Sequence, residues 1–316
     1  MQKSSNNNEH QAERFSFSGH ETFPLRVAWL PKAVSAVSQG KDPFTNPRDG
    51  MRLLGLGKNM VMALECWSEY FGVIFRQDGC WQVTEFGESI FGTYGADPFL
   101  EDQRTIWLLH WRASTNTSRP FFAWHWLINM CHEPEFTFSE ALKAFQAETD
   151  TYPRSLSETT LRQHLDVFLR TYVASESVAG RLPEDLLDSP LSSLGFIRKF
   201  GERRGDRGRD PLYSIDVQKK NSIPNELFRY CLHDWWNSFA GDDQTVLFSS
   251  IAFGRCSPGR VFRMPEAEVR DRLVLLAQNR PKEFTVLEGA NQRVIQRLQP
   301  LSSLKLLLSE AYKRDA

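Results

Sequence analysis

The chain has 316 residues, of which 41 % are hydrophobic and 24 % are charged, and its formal net charge is −1. This composition is typical of a folded protein of two or three domains and argues against wholesale disorder. Because the net charge is close to zero, any nucleic-acid site must come from a local cluster of positive charge.

The five cysteines are odd in number and widely spaced, without a CxxC pair or the Cys/His spacing of a zinc finger. The sequence therefore predicts neither a disulfide framework nor a structural metal. It has no apolar run of membrane-spanning length, and its polar first 14 residues lack the features of a signal peptide. We expect a cytoplasmic protein with reduced thiols and no membrane partner.

The first predicted module covers residues 15–95 and follows a polar tail, 1–14, that we expect to be disordered. Apolar residues at helical spacing predict two helices, separated by a proline-containing loop. An Asp-Gly turn between two alternating segments predicts a β-hairpin, followed by a third helix. This order is typical of a winged helix-turn-helix. The predicted ranges are 26–37 and 53–71 for the two helices, 73–83 for the hairpin, and 84–91 for the helix that Thr84 caps.

The stretch FSGHETFPLR, residues 17–26, places a histidine, a carboxylate and an arginine around an aromatic-proline turn. His20 and Glu21 are candidate catalytic residues, His20 as a general base or phosphate donor and Glu21 as a base or metal ligand. Arg26 is a candidate clamp for a DNA phosphate. In the structural alternative, which stays open, His20 bonds to backbone, and the first helix has a cap at Thr22 and begins at Pro24.

Lys58 follows two glycines in GLGKNM, residues 55–60. The free N–H groups and the macrodipole of a helix N-terminus favour an anion at such a turn. The stretch is not a Walker A loop, so a DNA phosphate is the expected ligand. We expect His20, Glu21 and Arg26 to fold beside this turn and to form a polar pocket for the DNA backbone.

Residues 96–134 are predicted to form a connector of two buried apolar helices, at 101–111 and 119–131. At the start of the connector, DPFLED offers three carboxylates within six residues: Asp97, Glu101 and Asp102. Clustered carboxylates could hold Mg²⁺ or Mn²⁺ for phosphodiester cleavage, which makes these three residues candidate catalytic residues. The alternative is that they stabilise the helix N-terminus by electrostatics.

The second predicted module, 135–220, repeats the order of helices and hairpin. Ser139 is predicted to cap its first helix, and Ser155 with Glu158 to form a capping box for its second. The outward face of the second helix carries Arg162, a candidate DNA contact. Two strands, predicted at 195–200 and 212–217, flank a loop.

This loop is the most basic stretch of the chain. From Arg198, near the end of the preceding strand, to Arg209 in the loop, the chain has six basic and two acidic residues. Guanidinium groups on such an arm can follow a phosphate backbone or enter a minor groove. The alternative is a solvated loop whose arginines pair with Glu202, Asp206 and Asp210. The candidate DNA contacts are Arg198, Lys199, Arg203, Arg204, Arg207 and Arg209.

The third predicted module, 221–316, is mostly helical and winged-helix-like, with helices at 226–239, 246–252, 265–278 and 301–312 and a strand at 282–286. A tight turn within it carries Arg260, a further candidate DNA contact. The predicted fold class is therefore mainly α with small β-hairpins (α+β), built from tandem winged helix-turn-helix modules joined by a helical linker.

No nuclease signature is legible in the sequence: it has no PD…(D/E)xK spacing, no paired-histidine phosphodiesterase motif and no GIY-YIG pair. Isolated histidines are more often structural than catalytic, and we expect a structural role for His110, His125, His132, His164 and His233. No organic cofactor is expected.

The separated motifs FSGHETFPLR, GLGKNM, DPFLEDQRTIWLLHW, LDVFLRTYV and SPGRVF resemble a prokaryotic family long catalogued as a domain of unknown function, and the resemblance spans about Phe15 to Arg297. The family is found in phage-defence islands beside DNA-sulfur-modification genes. It includes SspB-like nicking subunits of single-strand DNA phosphorothioation systems, whose partners are a cysteine desulfurase, an ATPase and a sulfur-transfer protein that resembles PAPS reductase.

The resemblance implies a DNA-binding endonuclease that nicks one strand, so that sulfur can replace a non-bridging phosphate oxygen. It assigns no catalytic residue to a position of this sequence. The missing nuclease motif favours an alternative, a non-catalytic winged-helix adaptor or regulator that binds DNA and recruits the modification enzymes.

Overall fold

The computed structural model describes residues 15–150, 156–175, 189–205, 208–289, 292–300 and 302–313. Within them the fold is mixed α+β, with many helices and three small antiparallel sheets, which confirms the predicted α+β class. The predicted tail 1–14 lies outside the described residues, as do Ser155 and Arg207.

The first part of the fold contains a two-residue hairpin between helices. The turn at Asp78 and Gly79 has positive φ at both residues, 52° and 81°, as the mirror-image turns of tight hairpins require. Thr84 caps the helix that follows, since its side chain accepts a hydrogen bond from the Gly87 N–H, as predicted. The elements are α1 (Trp29–Ser38), α2 (Pro47–Leu54), α3 (Lys58–Tyr70), β1 (Ile74–Gln77), β2 (Cys80–Val83) and α4 (Glu85–Phe91).

Two expectations for this part were wrong. Helix α2 occupies a stretch predicted as loop, because the Asn46 side chain caps its first turn and Pro47 takes the first helical position, where proline is favoured. Helix α1 begins at Trp29 and has no side-chain cap, so Thr22 does not cap it and Pro24 does not begin it.

The connector consists of α5 (Gln103–Thr115) and a second helix, α6 (Phe122–Trp124), that passes directly into a π-helical turn, His125–Met130. Both helices are buried: Trp107, Trp111 and Trp124 are each at most 2 % exposed. Their aromatic side chains form much of the core between the first part of the chain and the rest.

After the connector, one order of elements occurs twice. In each case a short strand leads directly into helices, a hairpin follows, and the short strand pairs with the last strand of the hairpin. The sheet orders are accordingly β3-β5-β4 and β6-β8-β7. The first set is β3 (Glu135–Thr137), α7 (Phe138–Thr149), α8 (Glu158–Tyr172), a 3₁₀ turn (Pro190–Leu194), β4 (Ile197–Gly205) and β5 (Gly208–Ile215).

The second set follows α9 (Asn225–Trp235), which also passes into a π-helical turn, Trp236–Ala240. Its short strand and its last strand were not predicted. The elements are β6 (Thr245–Leu247), α10 (Phe248–Phe253), α11 (Pro258–Val261), α12 (Glu266–Asn279), β7 (Phe284–Glu288), β8 (Arg293–Arg297) and the closing helix α13 (Leu304–Ala311).

Helix caps in the first set differ from those predicted. Thr137, not Ser139, caps α7: its hydroxyl accepts from the Glu140 N–H, and the Glu140 carboxylate accepts from the Thr137 N–H, a complete capping box. Ser157 caps α8.

No helix in the described part of the chain is both long and apolar enough to cross a membrane.

The cap assignment is testable with two single substitutions. Thr137→Ala should lower the free energy of unfolding by about 1 kcal/mol, because it removes the side-chain half of the capping box. Ser139→Ala is the matched control and should leave stability within about 0.5 kcal/mol, since only the backbone N–H of Ser139 is hydrogen-bonded, to Asp210. Urea denaturation measures both, and a larger loss for Ser139→Ala would contradict the assignment.

Candidate nucleic-acid interface

The predicted hairpin of the second module is present, but its strands extend through most of the stretch that was expected to be loop, so the expected extent of the loop was wrong. Strands β4 and β5 pair as far as Gly205 opposite Gly208. We call these two strands the basic hairpin. Its described residues include five basic and two acidic side chains. The positive charge is therefore carried on a hydrogen-bonded ribbon, which has fewer conformations than a loop.

A β-bulge divides the hairpin into a base and an outer half. The register shifts between Lys199 and Gly201, and bulges bend a strand and increase its twist. Before the bulge, Ile197 and its partner Ile215 belong to the core. Beyond it, the residues of β4 that the structure describes are exposed. On β4, exposure thus begins at Arg198 and continues through Arg204.

The two faces of the outer half differ in their contacts. Arg203 forms an ion pair of 2.9 Å with Glu140 on α7, and its cross-strand partner Asp210 accepts hydrogen bonds from the Ser139 N–H. Side chains alternate along a strand, so Arg204 and Arg209 lie on the other face, directly opposite each other.

Arg204 and Arg209 are both exposed. The Arg209 side chain is 86 % exposed and lies 3.5 Å from the Glu202 carboxylate, and Arg204 makes no ion pair with any described residue. Exposed ion pairs of this length contribute little stability. Both guanidiniums therefore remain accessible to an anionic partner.

A groove of about 750 Å³ lies between the basic hairpin, α7 and the first half of α8. Arg162, a predicted DNA contact on α8, lines it. Its guanidinium pairs with Glu158 at 3.0 Å and lies over the Phe138 ring. At the base of the hairpin, Arg198 is exposed and donates to the Gly195 carbonyl, and Lys199 is also exposed.

The long polar side chains on the outward face of α8 are about half exposed, and each has a partner within the protein. Arg170 lies 3.6 Å from Asp166 and donates to the Thr22 carbonyl, and Gln163 donates to the Glu21 carbonyl. Together with the Arg162–Glu158 pair, these contacts leave the basic hairpin as the more available cationic element.

The FSGHETFPLR stretch crosses the surface of α8, and its histidine is part of a buried chain of hydrogen bonds. The Ala123 N–H donates to His164 Nε2 at 3.0 Å. His164 Nδ1 and His20 Nε2 are 2.9 Å apart, and His20 Nδ1 lies 2.9 Å from the Glu21 carbonyl oxygen. The first bond sets the tautomers, since His164 must then donate from Nδ1 to His20, and His20 from Nδ1 to Glu21.

Both histidines are therefore neutral in the folded protein. Burial lowers the pKa of His20, and burial together with the neighbouring His20 holds the pKa of His164 well below its usual range. All four ring nitrogens are occupied. This geometry matches the structural alternative for His20, which bonds to backbone, and it satisfies Ala123 at the start of the buried connector helix.

The structure does not bring this stretch to Lys58. The Phe23 carbonyl accepts from the Trp67 indole N–H, and the His20 ring stacks on Trp67. Lys58 is exposed at the first residue of α3, nine residues earlier and about 13 Å along the helix. The Arg26 guanidinium lies against the rings of Phe23 and Trp29.

The three predicted carboxylates have different environments. The two Asp97 oxygens accept from the backbone N–H groups of Glu101 and Asp102. Asp102 caps α5 and pairs with Arg104, which holds the pKa of Asp102 below its usual range against the opposing effect of burial. Glu101 is exposed. Nowhere in the described ranges do three His, Cys, Asp or Glu side chains come together to hold a metal ion.

Arg260, a predicted DNA contact, instead packs against the connector. It donates to the backbone carbonyls of Asn129 and Cys131, and Arg263 donates to those of Leu127 and Cys131. Both guanidiniums thus satisfy carbonyls at the end of the π-helical turn, where the backbone has no helical donors. This role of Arg263 was not predicted from the sequence. The residue is buried and has a positive φ of 53°, and nothing in the local sequence indicates either property.

Comparison with known proteins gives a family and a fold. Residues 17–312 match the family model described as Protein of unknown function (DUF4007). A crystal structure of magnesium ion-bound SspB is 25 % identical with a TM-score of 0.73, covering 95 % of this chain and 88 % of that chain. A second SspB crystal structure is 24 % identical with the same TM-score and coverage. No curated protein matches the chain.

The hydrogen bond between His20 and His164 predicts an effect of His20 on stability. His20→Ala should lower the free energy of unfolding by about 1–3 kcal/mol, because it leaves the His164 N–H buried without an acceptor. The exposed His132 provides a control, and His132→Ala should change stability by less than about 0.5 kcal/mol. Equal melting curves for His20→Ala and the unmodified protein would contradict the assigned hydrogen bonds.

Proposed function

The chain belongs to the family of proteins of unknown function DUF4007, and we propose that it is a DNA-binding protein of a bacterial DNA phosphorothioation and phage-defence system. The observation that carries DNA binding is the basic hairpin. The guanidiniums of Arg204 and Arg209, on directly opposite residues of its outer half, are exposed and accessible. The similarity to SspB, together with the family resemblance of the sequence motifs, supports the phosphorothioation context.

Within this proposal the chain consists of tandem winged-helix modules. The repeated order of short strand, helices and hairpin, with the first strand paired to the last, supports this assignment for the second and third modules. The two-stranded hairpin β1–β2 after α2 and α3 supports it for the first. We retain the boundaries 15–95, 96–134, 135–220 and 221–316.

The proposed partners are DNA and the other proteins of such a system: the sulfur-transfer protein, the ATPase and the cysteine desulfurase. A protein that acts on cellular DNA beside these enzymes would work in the cytoplasm. In this role the chain positions the DNA strand on which the modification enzymes act.

Strand nicking is the second candidate function, and the observation that favours it is the similarity to magnesium ion-bound SspB. Against it, Asp97 is bonded to backbone N–H groups just before α5, Asp102 caps α5, and the described residues offer no set of three metal ligands. These hydrogen bonds favour the adaptor role. Glu101 is the one carboxylate of the predicted cluster that is exposed, so it is the residue of that cluster to test.

The hairpin proposal predicts a change in salt dependence. Arg204→Ala combined with Arg209→Ala should weaken duplex DNA binding and lower the slope of log K against log[salt] by about 0.9 for each phosphate that the variant no longer neutralises. The matched control replaces two partly exposed arginines of the third module, Arg270→Ala with Arg293→Ala. This variant should keep the slope of the unmodified protein. Fluorescence anisotropy at several salt concentrations measures both, and equal slopes for the two variants would refute the hairpin as the DNA-binding element.

A supercoiled-plasmid relaxation assay separates the nicking and adaptor roles. If the chain nicks DNA, purified protein should relax the plasmid with Mg²⁺ or Mn²⁺ but not with EDTA, and Glu101→Gln should reduce the rate if Glu101 takes part. If the chain is an adaptor, the plasmid should stay supercoiled under all three conditions while DNA binding is retained. Relaxation in EDTA would indicate a contaminating or metal-independent activity and would count against the metal-dependent mechanism.

A further inference from the structure

We propose that the basic hairpin reads DNA from the minor groove, with Arg204 and Arg209 as the two side chains that enter it. This inference rests on the proposed DNA binding and deepens it, because it names the surface of the duplex that the hairpin recognises and the property it responds to, namely the width and electrostatic potential of the minor groove.

The first observation is that two like charges face each other across the ribbon. Arg204 and Arg209 are directly opposite in the register, so their Cβ atoms lie about 4.5–5.5 Å apart. Like charges in this arrangement destabilise a strand pair. Glu202 lies 3.5 Å from Arg209. The pair is thus a local concentration of positive charge that an anionic partner would stabilise.

The second observation is how narrow the ribbon is just beyond the arginines. Gly205 lies opposite Gly208, so the next cross-strand pair carries no side chains. The φ of Gly208 is 115°, and a Cβ added there would have no atom within 4 Å, so this position is open. The minor groove of B-DNA is only about 6 Å wide. A ribbon without side chains at this level can approach the mouth of the groove, and the long arginine side chains can then reach inside.

The third observation concerns the helix that would otherwise read the major groove. In a helix-turn-helix arrangement α8 would take that position. The long polar side chains of its outward face already have partners at the protein surface: Arg162 pairs with Glu158, and Gln163 and Arg170 donate to carbonyls of the FSGHETFPLR stretch. The exposed Arg162–Glu158 pair would be exchanged at little cost, but using Gln163 and Arg170 to read base edges would remove the hydrogen bonds that hold the FSGHETFPLR stretch against α8. The hairpin arginines need no such rearrangement.

Narrow minor grooves have an enhanced negative potential that attracts inserted arginines. The hairpin should therefore favour DNA whose minor groove is narrow and free of the guanine N2 amino group. The arginine pair acts as one unit, since both guanidiniums lie on the same face of the ribbon. Arg203 lies on the other face and pairs with Glu140, so it serves as a matched internal control.

Base substitution in the DNA tests the inference directly. Replacing guanine by inosine removes the minor-groove amino group and leaves the major-groove acceptors N7 and O6 unchanged. The unmodified protein should bind a duplex of inosine·cytosine pairs at least about threefold more tightly than the same sequence with guanine, because the groove is narrower and unobstructed. Replacing guanine by 7-deazaguanine, which alters only the major groove, should leave affinity unchanged.

The variants then assign the effect to residues. Arg204→Ala with Arg209→Ala should bind the inosine and guanine duplexes with equal affinity, whereas Arg203→Ala should keep the preference. Circular dichroism should show all three proteins folded, since these side chains are exposed. Strong binding without an inosine preference, or a loss of affinity with 7-deazaguanine, would overturn the minor-groove inference and leave DNA binding intact. Failure to bind any duplex would overturn both proposals.

Discussion

The buried connector imposes the constraint on which the rest of the fold depends. Helix α6 and its π-helical turn pass through an aromatic core, where every backbone N–H and carbonyl group needs a partner. The partners come from sequence-distant elements on both sides. His164 accepts from the Ala123 N–H at one end, and Arg260 and Arg263 donate to the carbonyls at the other. The hydrogen bonds that these backbone groups need thus connect the second and third parts of the chain to α6 and its turn. His20 connects the first part through its hydrogen bond with His164.

This arrangement separates cations that hold the fold together from cations that are free to bind. The Arg229 guanidinium is shared by Glu226, Glu283 and Glu310 and joins α9 to β7 and α13. Burial lowers the pKa of Arg263 to about 10, yet its carbonyl partners keep it in place. The basic hairpin lies outside these networks. A rigid core with an exposed, charged ribbon is an arrangement in which DNA contacts can form without disturbing the packing.

The two sets of elements with the same topology have diverged on their surfaces. Thr137 caps α7 in the first set, whereas the equivalent position before α10 is Leu247, which is exposed and provides no cap. The outward face of α8 is charged, whereas α12 exposes Val274 and Leu275. The hairpin of the second set, β7–β8, has among its described residues an arginine–glutamate pair, Arg293 with Glu288, where the basic hairpin has its arginine cluster. Equal topology therefore does not give equal binding surfaces, and the exposed arginine pair that suits DNA belongs to the first set.

The sequence by itself determined the features that depend on neighbouring residues. The Asp78–Gly79 hairpin, the Thr84 cap, most helices and the α+β class follow from local backbone preferences and periodicity, and the family was visible in separated motifs. Tertiary structure decided what the polar side chains do. His20 meets His164 across 144 positions of sequence, and Arg260 meets Cys131 across 129. An imidazole or guanidinium in a loop looks the same whether it faces solvent or an unsatisfied backbone group, and only the folded chain shows which group it faces.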